Sequence, residues 1–398
     1  MKIGLVTTSF PRYLDDIAGN FVLGFARALV TAGHEFEVLA PEPARGKSPP
    51  SWDKIAVYWV PYMRPRVLSR TFYGAGVPDN LRHSLSAWAG LVPFTLALLR
   101  EVKRKRSNWD ALVSHWALPC ALVAGALRND LPHVAFLHSA DLHLLRRLPA
   151  RSAGAKHIAS NARKLVFVSP ILQEEFIRWL PRENRPEARE KSLLFPMGIE
   201  PVGETALQRE DLRRAFGFDR FTLLSIGRLV SVKGIDEAVR AVANRRDIIF
   251  AVAGEGPERS MLEKIAKDLR SPVRFLGKVT GSRKQELLRS ADAFVCPSRV
   301  LTSGRTEGMP TSILEAMAHG LPTVATRVGG VSHVIEHMRS GYLVPPSDQQ
   351  ALRAAIDLLI SDIPLRIKLG RGGQKVARRY TWPNLTKPLA SMINSAIT

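Results

Sequence analysis

The stretch EGMPTSILEAMAHGLPTVATRVGG, residues 307–330, predicts a loop, a helix and a buried strand in close succession. Its first residue, Glu307, precedes a turn that contains glycine and proline, and Glu315 follows eight positions later. Ser312 and Glu315 have the spacing of a capping box, which predicts a helix that begins at Thr311 or Ser312 with Glu315 in its first turn. The free N–H groups of that turn can hold an anion. The alternative is that Glu315 only caps its helix.

At 398 residues the chain exceeds one ordinary α/β core, so two domains are expected. Strand-like apolar runs alternate with helical patterns, which favours parallel, doubly wound sheets and two Rossmann-like domains. The predicted strands are Lys2–Thr7, Glu35–Ala40, Ile55–Val60, Ala111–Ser114, His133–His138, Lys164–Ser169 and Ser192–Phe195, then Phe221–Ile226, Ile248–Gly254, Val273–Leu276, Ala293–Cys296 and Thr323–Ala325. A short apolar segment beyond Trp382 is expected to pack back on one of the domains.

The chain is strongly basic, with a formal net charge of +21. Residues 51–164 carry a net charge of +11, whereas residues 1–50 carry none. Within the basic segment, the apolar run Ala87–Leu99 has 13 residues and directly precedes a basic cluster that begins at Arg100. The run is too short to cross a bilayer, and it fits both an interfacial membrane segment and an ordinary core helix with a solvated basic end. An anionic membrane surface is therefore an expected partner.

Other features of the composition indicate a cytoplasmic protein. The two cysteines, Cys120 and Cys296, lie far apart in apolar runs, as buried packing residues do. The N-terminal sequence MKIGLVTTSF turns polar too early for a signal peptide and predicts a buried first strand. We expect a protein of the reducing cytosol that associates peripherally with the inner face of the cell membrane.

Two glycine-containing loops in the second half follow predicted strands. In GRLVSVKG, residues 227–234, Arg228 and Lys233 can both face the start of the next helix, where they would neutralise a diphosphate. A solvated basic loop is the alternative. In GEGP, Gly254 ends the next strand and can lie close to a nucleotide base. Both loops and the segment around Glu307 and Glu315 follow strands, and open α/β sheets bind ligands at the carboxyl ends of their strands.

In GRLVSVKG, GEGP and above all the E-x7-E pattern of EGMPTSILEAMAHGLP, the sequence resembles the family-4 retaining glycosyltransferases of GT-B fold. The resemblance covers nearly the whole chain. It implies two domains, residues 1–197 for the acceptor and 198–380 for the donor, that face each other across a cleft. Residues 381–398 would form a helix that returns to the N-terminal domain.

The resemblance also implies roles for residues of the C-terminal domain. Arg228 and Lys233 would hold the donor diphosphate, and Glu315 would bind the ribose hydroxyls. Glu307 would hold the transferred sugar, together with the backbone of Gly308, Met309 and Pro310.

In the N-terminal domain, the resemblance implies that Gly19 lets the first loop approach the phosphates and that His138 contacts the transferred sugar. HSAD, which begins at His138, stands where the family usually has a His-Gly pair. Asp141 is a candidate hydrogen-bonding partner or base near the acceptor hydroxyl. His115 is a candidate for the lining of the acceptor cleft. The alternatives are a backbone-satisfied histidine at His138 and a structural one at His115.

The chemistry expected of these residues is charge neutralisation, because a nucleoside diphosphate is already a good leaving group. We predict His138, Glu307, Arg228 and Lys233 as the catalytic set. The sequence contains no DxD triplet, so we expect neither a metal nor any other cofactor. Both glutamates would contact donor hydroxyls, so they are not a glycosidase acid/base pair. Since the family retains the anomeric configuration, front-face departure and attack is our hypothesis for the mechanism.

The predicted function is transfer from a nucleotide sugar to a saccharide acceptor, lipid-linked, in polysaccharide or glycan assembly. The competing hypothesis is a basic Rossmann protein that binds nucleic acid or anionic lipid without glycosyl transfer; with 7% aromatic residues and no RNA-binding signature, no specific nucleic acid is expected. A dinucleotide-dependent oxidoreductase is disfavoured, because TTSFPRYLDDIAG replaces the glycine fingerprint after the first strand. A sugar-phosphate acceptor, a phosphorylase, and GDP- or UDP-linked donors all stay open.

Overall fold

The computed structural model describes residues 1–14, 16–44, 52–74, 76–83, 85–126 and 131–397. The chain forms two compact units. The N-terminal unit comprises Met1–Gly198 and Leu385–Thr398, and the C-terminal unit comprises Ile199–Asn384. The described strands form one parallel sheet in each unit.

The N-terminal sheet has the strand order β3-β2-β1-β4-β5-β6-β7. Its strands are β1 (Lys2–Val6), β2 (Glu35–Pro41), β3 (Ile55–Val60), β4 (Ala111–His115), β5 (His133–Leu137), β6 (Lys164–Phe167) and β7 (Ser192–Leu194). Every residue of β4 and β5 is buried, as expected for central strands of a parallel sheet that is covered on both faces. The order reverses between β1 and β4, and that switch point is where such sheets bind ligands.

The helices of this unit lie between the strands. They are α1 (Asn20–Thr31), α2 (Val77–His83), α3 (Leu85–Ala89), α4 (Leu91–Lys105), α5 (Leu122–Gly125), α6 (Ser139–Arg146), α7 (Arg151–Asn161), α8 (Pro170–Trp179) and α9 (Arg185–Glu190). Phe94, Leu98 and Val102 recur at helical spacing on α4 and are buried in the core of the unit. The apolar run Ala87–Leu99 is therefore divided between two helices, one of which packs one face on the core.

The C-terminal sheet has the order β10-β9-β8-β11-β12-β13. Its strands are β8 (Phe221–Ile226), β9 (Ile248–Ala253), β10 (Val273–Gly277), β11 (Ala293–Cys296), β12 (Thr323–Thr326) and β13 (Tyr342–Val344). The helices are α10 (Arg209–Phe216), α11 (Ile235–Ala241), α12 (Arg259–Asp268), α13 (Gly281–Ser290), α14 (Thr311–Ala318), α15 (Val331–Val334), α16 (Gln349–Ser361) and α17 (Ile363–Ala377). The final helix, α18 (Trp382–Ile397), passes from this unit into the N-terminal one at Leu385.

The fold class predicted from the sequence, two Rossmann-like doubly wound domains, is confirmed. Each predicted strand is present and begins at the predicted residue, and only the ends differ by one or two positions. The sequence analysis missed β13, because three residues at the edge of a sheet give too short an apolar run to recognise.

The predicted capping box at Ser312 and Glu315 is wrong. Helix α14 begins at Thr311, but Pro310 is its N-cap residue and no side chain caps the helix. The carbonyl of Pro310, in extended conformation, accepts a hydrogen bond from Ile313 N at 3.1 Å. Glu315 consequently lies beyond the first turn, and its carboxylate is available to other groups.

We predict that Gly254→Ala lowers the free energy of unfolding by roughly 3 kcal/mol or more. Gly254 has a φ of +150°, and a Cβ there would overlap the carbonyl oxygen of Gly227. Gly320→Ala is the matched control in the same unit, because its φ is +73° but nothing lies within 4 Å of the added carbon. The control is expected to cost about 1–2 kcal/mol. Urea unfolding of both variants measures the difference, and equal losses would contradict the close packing at Gly254.

Candidate functional site

An ion pair joins two loops at the switch point of the C-terminal sheet. One loop, residues 227–234, follows β8, and the other, residues 297–310, follows the neighbouring strand β11. Lys233 Nζ in the first loop lies 3.1 Å from Glu307 Oε2 in the second. The backbones are also in contact, since Arg299 N donates to Val232 O at 3.0 Å. The structure thus brings together two residues that the sequence analysis placed in the catalytic set.

The GEGP turn packs directly against the first loop. Gly227 N donates to Ala253 O at 3.0 Å, and Leu229 N donates to Glu255 O at 2.9 Å. Gly254 therefore lies beside the loop that carries Arg228 and Lys233, and the Arg228 side chain is exposed. The residues predicted to bind the diphosphate and the nucleotide base therefore lie together at the carboxyl ends of β8 and β9.

The turn of Glu307 and Gly308 rests on a pair of glycines that follows β12. Gly330 N donates to Gly308 O at 2.7 Å. Gly329 has a φ of +51°, and a Cβ there would overlap the carbonyl oxygen of Glu307. The sequence analysis did not assign these two glycines to the site, although a Gly-Gly pair separated from the end of a strand by two residues is a signal for such a close approach.

Glu315, on α14, pairs with a lysine that the sequence analysis missed. Lys284 Nζ lies 2.7 Å from Glu315 Oε1, and both side chains are about one-fifth exposed, at 23% and 20%. Lys284 lies on α13, in a helical pattern with other basic residues, and nothing in the sequence distinguishes it from a solvated lysine. Each predicted donor-binding glutamate therefore has its own lysine partner, Lys233 or Lys284.

Two buried histidines meet at the carboxyl ends of β4 and β5. His115 Nδ1 and His138 Nε2 are 3.1 Å apart, and the rings are stacked with centroids 5.3 Å apart. Burial lowers the pKa of His138 to about 3, and burial together with the neighbouring His138 ring lowers the pKa of His115 well below its usual value. Both rings are therefore neutral at pH 7, and one donates a hydrogen bond to the other. Contact of His138 with a sugar stays a prediction.

Asp141 fastens the ends of the same two strands. Its carboxylate accepts a hydrogen bond from His138 N at 3.0 Å and another from Ala117 N, and with His138 it forms the capping box of α6. Burial raises the pKa of Asp141 to about 7, and the backbone donors oppose that rise. The side chain is only 2% exposed. Its predicted role beside an acceptor hydroxyl stays a prediction, whereas its structural role is evident.

The first loop is held by contacts of its own. Gly19 has a φ of +71°, and a Cβ there would overlap the carbonyl oxygen of Ser9 in the same loop. Arg12 Nε donates to Asp16 Oδ2 at 2.6 Å, and the Arg12 guanidinium lies 4.5 Å from the ring centre of Tyr73. The glycine is required by the loop itself, and its approach to donor phosphates stays a prediction.

Among the described residues, no group of three or more His, Cys, Asp or Glu side chains could hold a metal.

Two family models match the chain, one in each half. The model described as Glycosyl transferase 4-like domain matches residues 18–188, and the model described as Glycosyl transferases group 1 matches residues 208–376. The chain belongs to the family-4 glycosyltransferases. This confirms the family that the motifs at Arg228, Gly254 and Glu307 indicated.

Relatives and solved structures agree with this family. An uncharacterised glycosyltransferase of Methanocaldococcus jannaschii is 27% identical over 100% of this chain and 99% of its own. The putative teichuronic acid biosynthesis glycosyltransferase TuaC of Bacillus subtilis is 29% identical over 89% of this chain and 88% of its own. Among structures, sucrose-phosphate synthase from Thermosynechococcus elongatus superposes with a TM-score of 0.78 at 19% identity, covering 99% of this chain and 98% of that one. Anabaena HepE, in complex with UDP and glucose, gives a TM-score of 0.74 at 17% identity, covering 99% of this chain and 100% of that one. These structures share the GT-B fold with this glycosyltransferase.

The buried histidines predict how stability depends on pH. Burial lowers the pKa of His133 and of His138 from 6.5 to about 3, so the unfolded chain binds protons that the folded chain cannot. The contribution of each neutral histidine to the free energy of unfolding is therefore fully present above pH 6.5. It is lost as the pH falls toward 3, by about 1.4 kcal/mol per pH unit for each group. Asp141 acts in the opposite direction, because its raised pKa favours the folded state as the pH falls below about 7.

His133→Asn is expected to make this pH dependence shallower, since Asn can still hydrogen-bond to Ser114, whose Oγ lies 2.8 Å from His133 Nε2. Urea unfolding of the N-terminal unit at a series of pH values measures the slope. The exposed His333→Asn is the control and should leave the slope unchanged. An unchanged slope in His133→Asn would show that this histidine is protonated in the folded state.

Proposed function

We propose that this glycosyltransferase moves a sugar from a nucleoside diphosphate to a saccharide acceptor, with retention of anomeric configuration and without a metal. The observation that carries the proposal is the Lys233–Glu307 ion pair at the switch point, where it joins the loops that follow β8 and β11. An anion and a hydroxyl-rich group that arrive together at this point would meet a cation and a carboxylate side by side.

The site residues suit the departure of a diphosphate. Lys233 lies in the first loop, and Arg228 is exposed in the same loop. The start of α14 adds backbone N–H groups that have no partner within their own helix. Cations and oriented N–H groups stabilise the negative charge that develops on the leaving phosphate. Diphosphate oxygens would compete with Glu307 for the ammonium of Lys233, and a carboxylate released in this way can accept hydrogen bonds from sugar hydroxyls.

The lysine partners of the two glutamates favour binding over acid/base chemistry. Glu307 pairs with Lys233 and Glu315 pairs with Lys284, so each carboxylate already accepts a hydrogen bond from an ammonium group. A general acid of a glycosidase needs a protonated carboxyl beside the scissile bond. Retention would then follow from front-face attack, in which the departing phosphate accepts the proton of the acceptor hydroxyl.

The comparisons support a saccharide acceptor and a nucleotide donor. TuaC is named for teichuronic acid biosynthesis, and HepE was solved with UDP and glucose. We extend these to this chain as a proposal for polysaccharide or glycan assembly on a lipid-linked acceptor.

Part of the basic segment forms a surface that fits an anionic membrane. Trp88, Val92 and Leu96 follow one another at intervals of four residues and are 55%, 66% and 61% exposed. Val92 and Leu96 lie on the side of α4 opposite the buried Phe94 and Leu98, and Trp88 lies four residues before Val92 on α3. We call these three residues the apolar stripe.

Exposed basic residues continue from the stripe at the C-terminal end of α4. They are Arg100, Lys103, Arg104 and Arg106, of which Arg104 pairs with Glu101. Exposed apolar side chains beside basic ones are the pattern of an interfacial helix, in which the stripe enters the headgroup region and the cations meet anionic lipid. Within the described ranges, no helix has the length and apolar character needed to cross a bilayer. We therefore propose peripheral attachment through the stripe, where a lipid-linked acceptor would also be found.

The donor site is tested by thermal unfolding in EDTA with UDP, GDP, ADP and their common sugar conjugates. One nucleotide is expected to raise the transition temperature, because a ligand that binds only the folded state stabilises it by about 2.7 kcal/mol at a hundredfold excess over Kd. Glu315→Ala should abolish the rise. Glu263→Ala, which removes a salt-bridged glutamate from α12 of the same unit, should retain it. If no nucleotide raises the transition, or if Glu315→Ala responds as the wild type does, the proposed donor site is wrong.

Membrane attachment is tested by flotation with vesicles that contain phosphatidylglycerol. Replacing Trp88, Val92 and Leu96 by serine should lower binding roughly a thousandfold or more, since three side chains that each contribute about 1.5 kcal/mol together contribute about 4.5 kcal/mol. The control replaces Ile363 and Ile367 by serine, because they are 55% and 50% exposed on α17 with the same spacing of four. Equal binding by the stripe variant and the wild type, or loss in the control alone, would refute the stripe as the membrane contact.

A further inference from the structure

Trp116 has a backbone conformation that is unusual for a bulky residue. It directly follows β4, and its φ is +76° with ψ at 136°. Large L side chains rarely adopt a positive φ, so the surrounding structure must impose this conformation. Strained residues of this kind concentrate at functional sites, so the conformation of Trp116 makes its side chain a candidate for a functional role.

Hydrogen bonds on both sides of Trp116 impose the conformation. Trp116 N donates to Phe136 O at 2.9 Å, and Trp116 O accepts from Ala121 N at 3.1 Å. The next residue, Ala117, donates its N–H to the buried carboxylate of Asp141. Asp141 also accepts from His138 N, so it ties Trp116 to the end of β5.

This arrangement brings the Trp116 ring to the side of His138. The ring centroids of these two residues are 5.3 Å apart, and that of Trp116 is 5.6 Å from Phe21 at the start of α1. Phe21 in turn lies 5.3 Å from His138. His115 and His138 are buried, at 0% and 8% exposure, whereas Trp116 and Phe21 are half-buried. The accessible part of this cluster is therefore aromatic.

We propose that Trp116, with Phe21 beside it, is a stacking platform for a pyranose ring of the saccharide acceptor. The proposal rests on the proposed function, and it identifies a binding residue of that acceptor in the N-terminal unit. One face of a pyranose carries axial C–H groups and is apolar, while its edge carries hydroxyls. A flat aromatic ring offers a large apolar area at little entropic cost, with an electron-rich face that attracts C–H hydrogens.

Asp141 acts in this arrangement as a positioning residue. Its carboxylate holds the N–H of Ala117, which directly follows Trp116, and the N–H of His138 on the neighbouring strand end. Without that carboxylate, the positive φ of Trp116 would relax and the ring would leave His138. Asp141→Ala is therefore expected to weaken binding at Trp116 through the loss of the two backbone contacts.

The platform is tested by saturation-transfer difference NMR with methyl α-D-mannopyranoside, methyl β-D-glucopyranoside and methyl β-D-galactopyranoside as probes. The wild type should transfer saturation to the axial C–H protons of at least one probe. Trp116→Ala should raise the Kd of that probe about tenfold or more, whereas Trp116→Phe should lose only part of the affinity. Trp179→Ala, a half-buried tryptophan at the far end of α8, is the matched control and should bind as the wild type does.

A second variant separates stacking from folding. Gly accepts a positive φ freely, so Trp116→Gly should unfold at a higher urea concentration than Trp116→Ala and yet bind no pyranoside. Wild-type binding by Trp116→Ala, or absence of saturation transfer from the wild-type protein to every probe, overturns the platform. Failure of the proposed function is a different result, because it appears as absence of any nucleotide stabilisation in the C-terminal unit.

Discussion

The ion pair between Lys233 and Glu307 is the contact on which the proposed donor site depends. Parallel strand order places the loops after β8 and β11 side by side, and the pair holds one charged group from each at a distance of 3.1 Å. The backbone beneath is equally constrained, because Gly254 lies against Gly227 and Gly329 lies against Glu307 with no room for a Cβ. The strand order brings the charges together, and the glycines let the loops approach closely enough for the charges to meet.

The N-terminal unit uses a buried carboxylate where the C-terminal unit uses a partly buried ion pair. Asp141 accepts backbone N–H groups from the ends of β4 and β5, and thereby fixes His138 and the residue after Trp116. Burial disfavours the charged form of the Asp141 carboxylate, which is why its pKa rises to about 7. Both units therefore place polar anchors at the carboxyl ends of their central strands, although the anchors differ in chemistry.

Much of this could be predicted from the sequence, for identifiable reasons. Apolar runs mark strand starts because a parallel strand is buried on both faces, and β8 and β11 begin where their runs begin. The glycine and charge patterns indicated Lys233 and Glu307. Lys284 was missed because a lysine on a helix surface carries no sign of which acid it will meet in space. The capping box failed because Pro310 occupied the N-cap position, and the backbone conformation of Trp116 is set by partners distant in sequence.

The most direct test of glycosyl transfer is proton NMR of the anomeric signal during turnover in EDTA, with the sugar conjugate of the nucleotide that stabilises the protein. The account predicts that the nucleoside diphosphate is released and that the first anomer to appear, in transfer product or hydrolysed sugar, has the configuration of the donor. An inverted anomer, or turnover only after a divalent metal is added, would contradict the mechanism drawn from Lys233, Glu307 and Glu315.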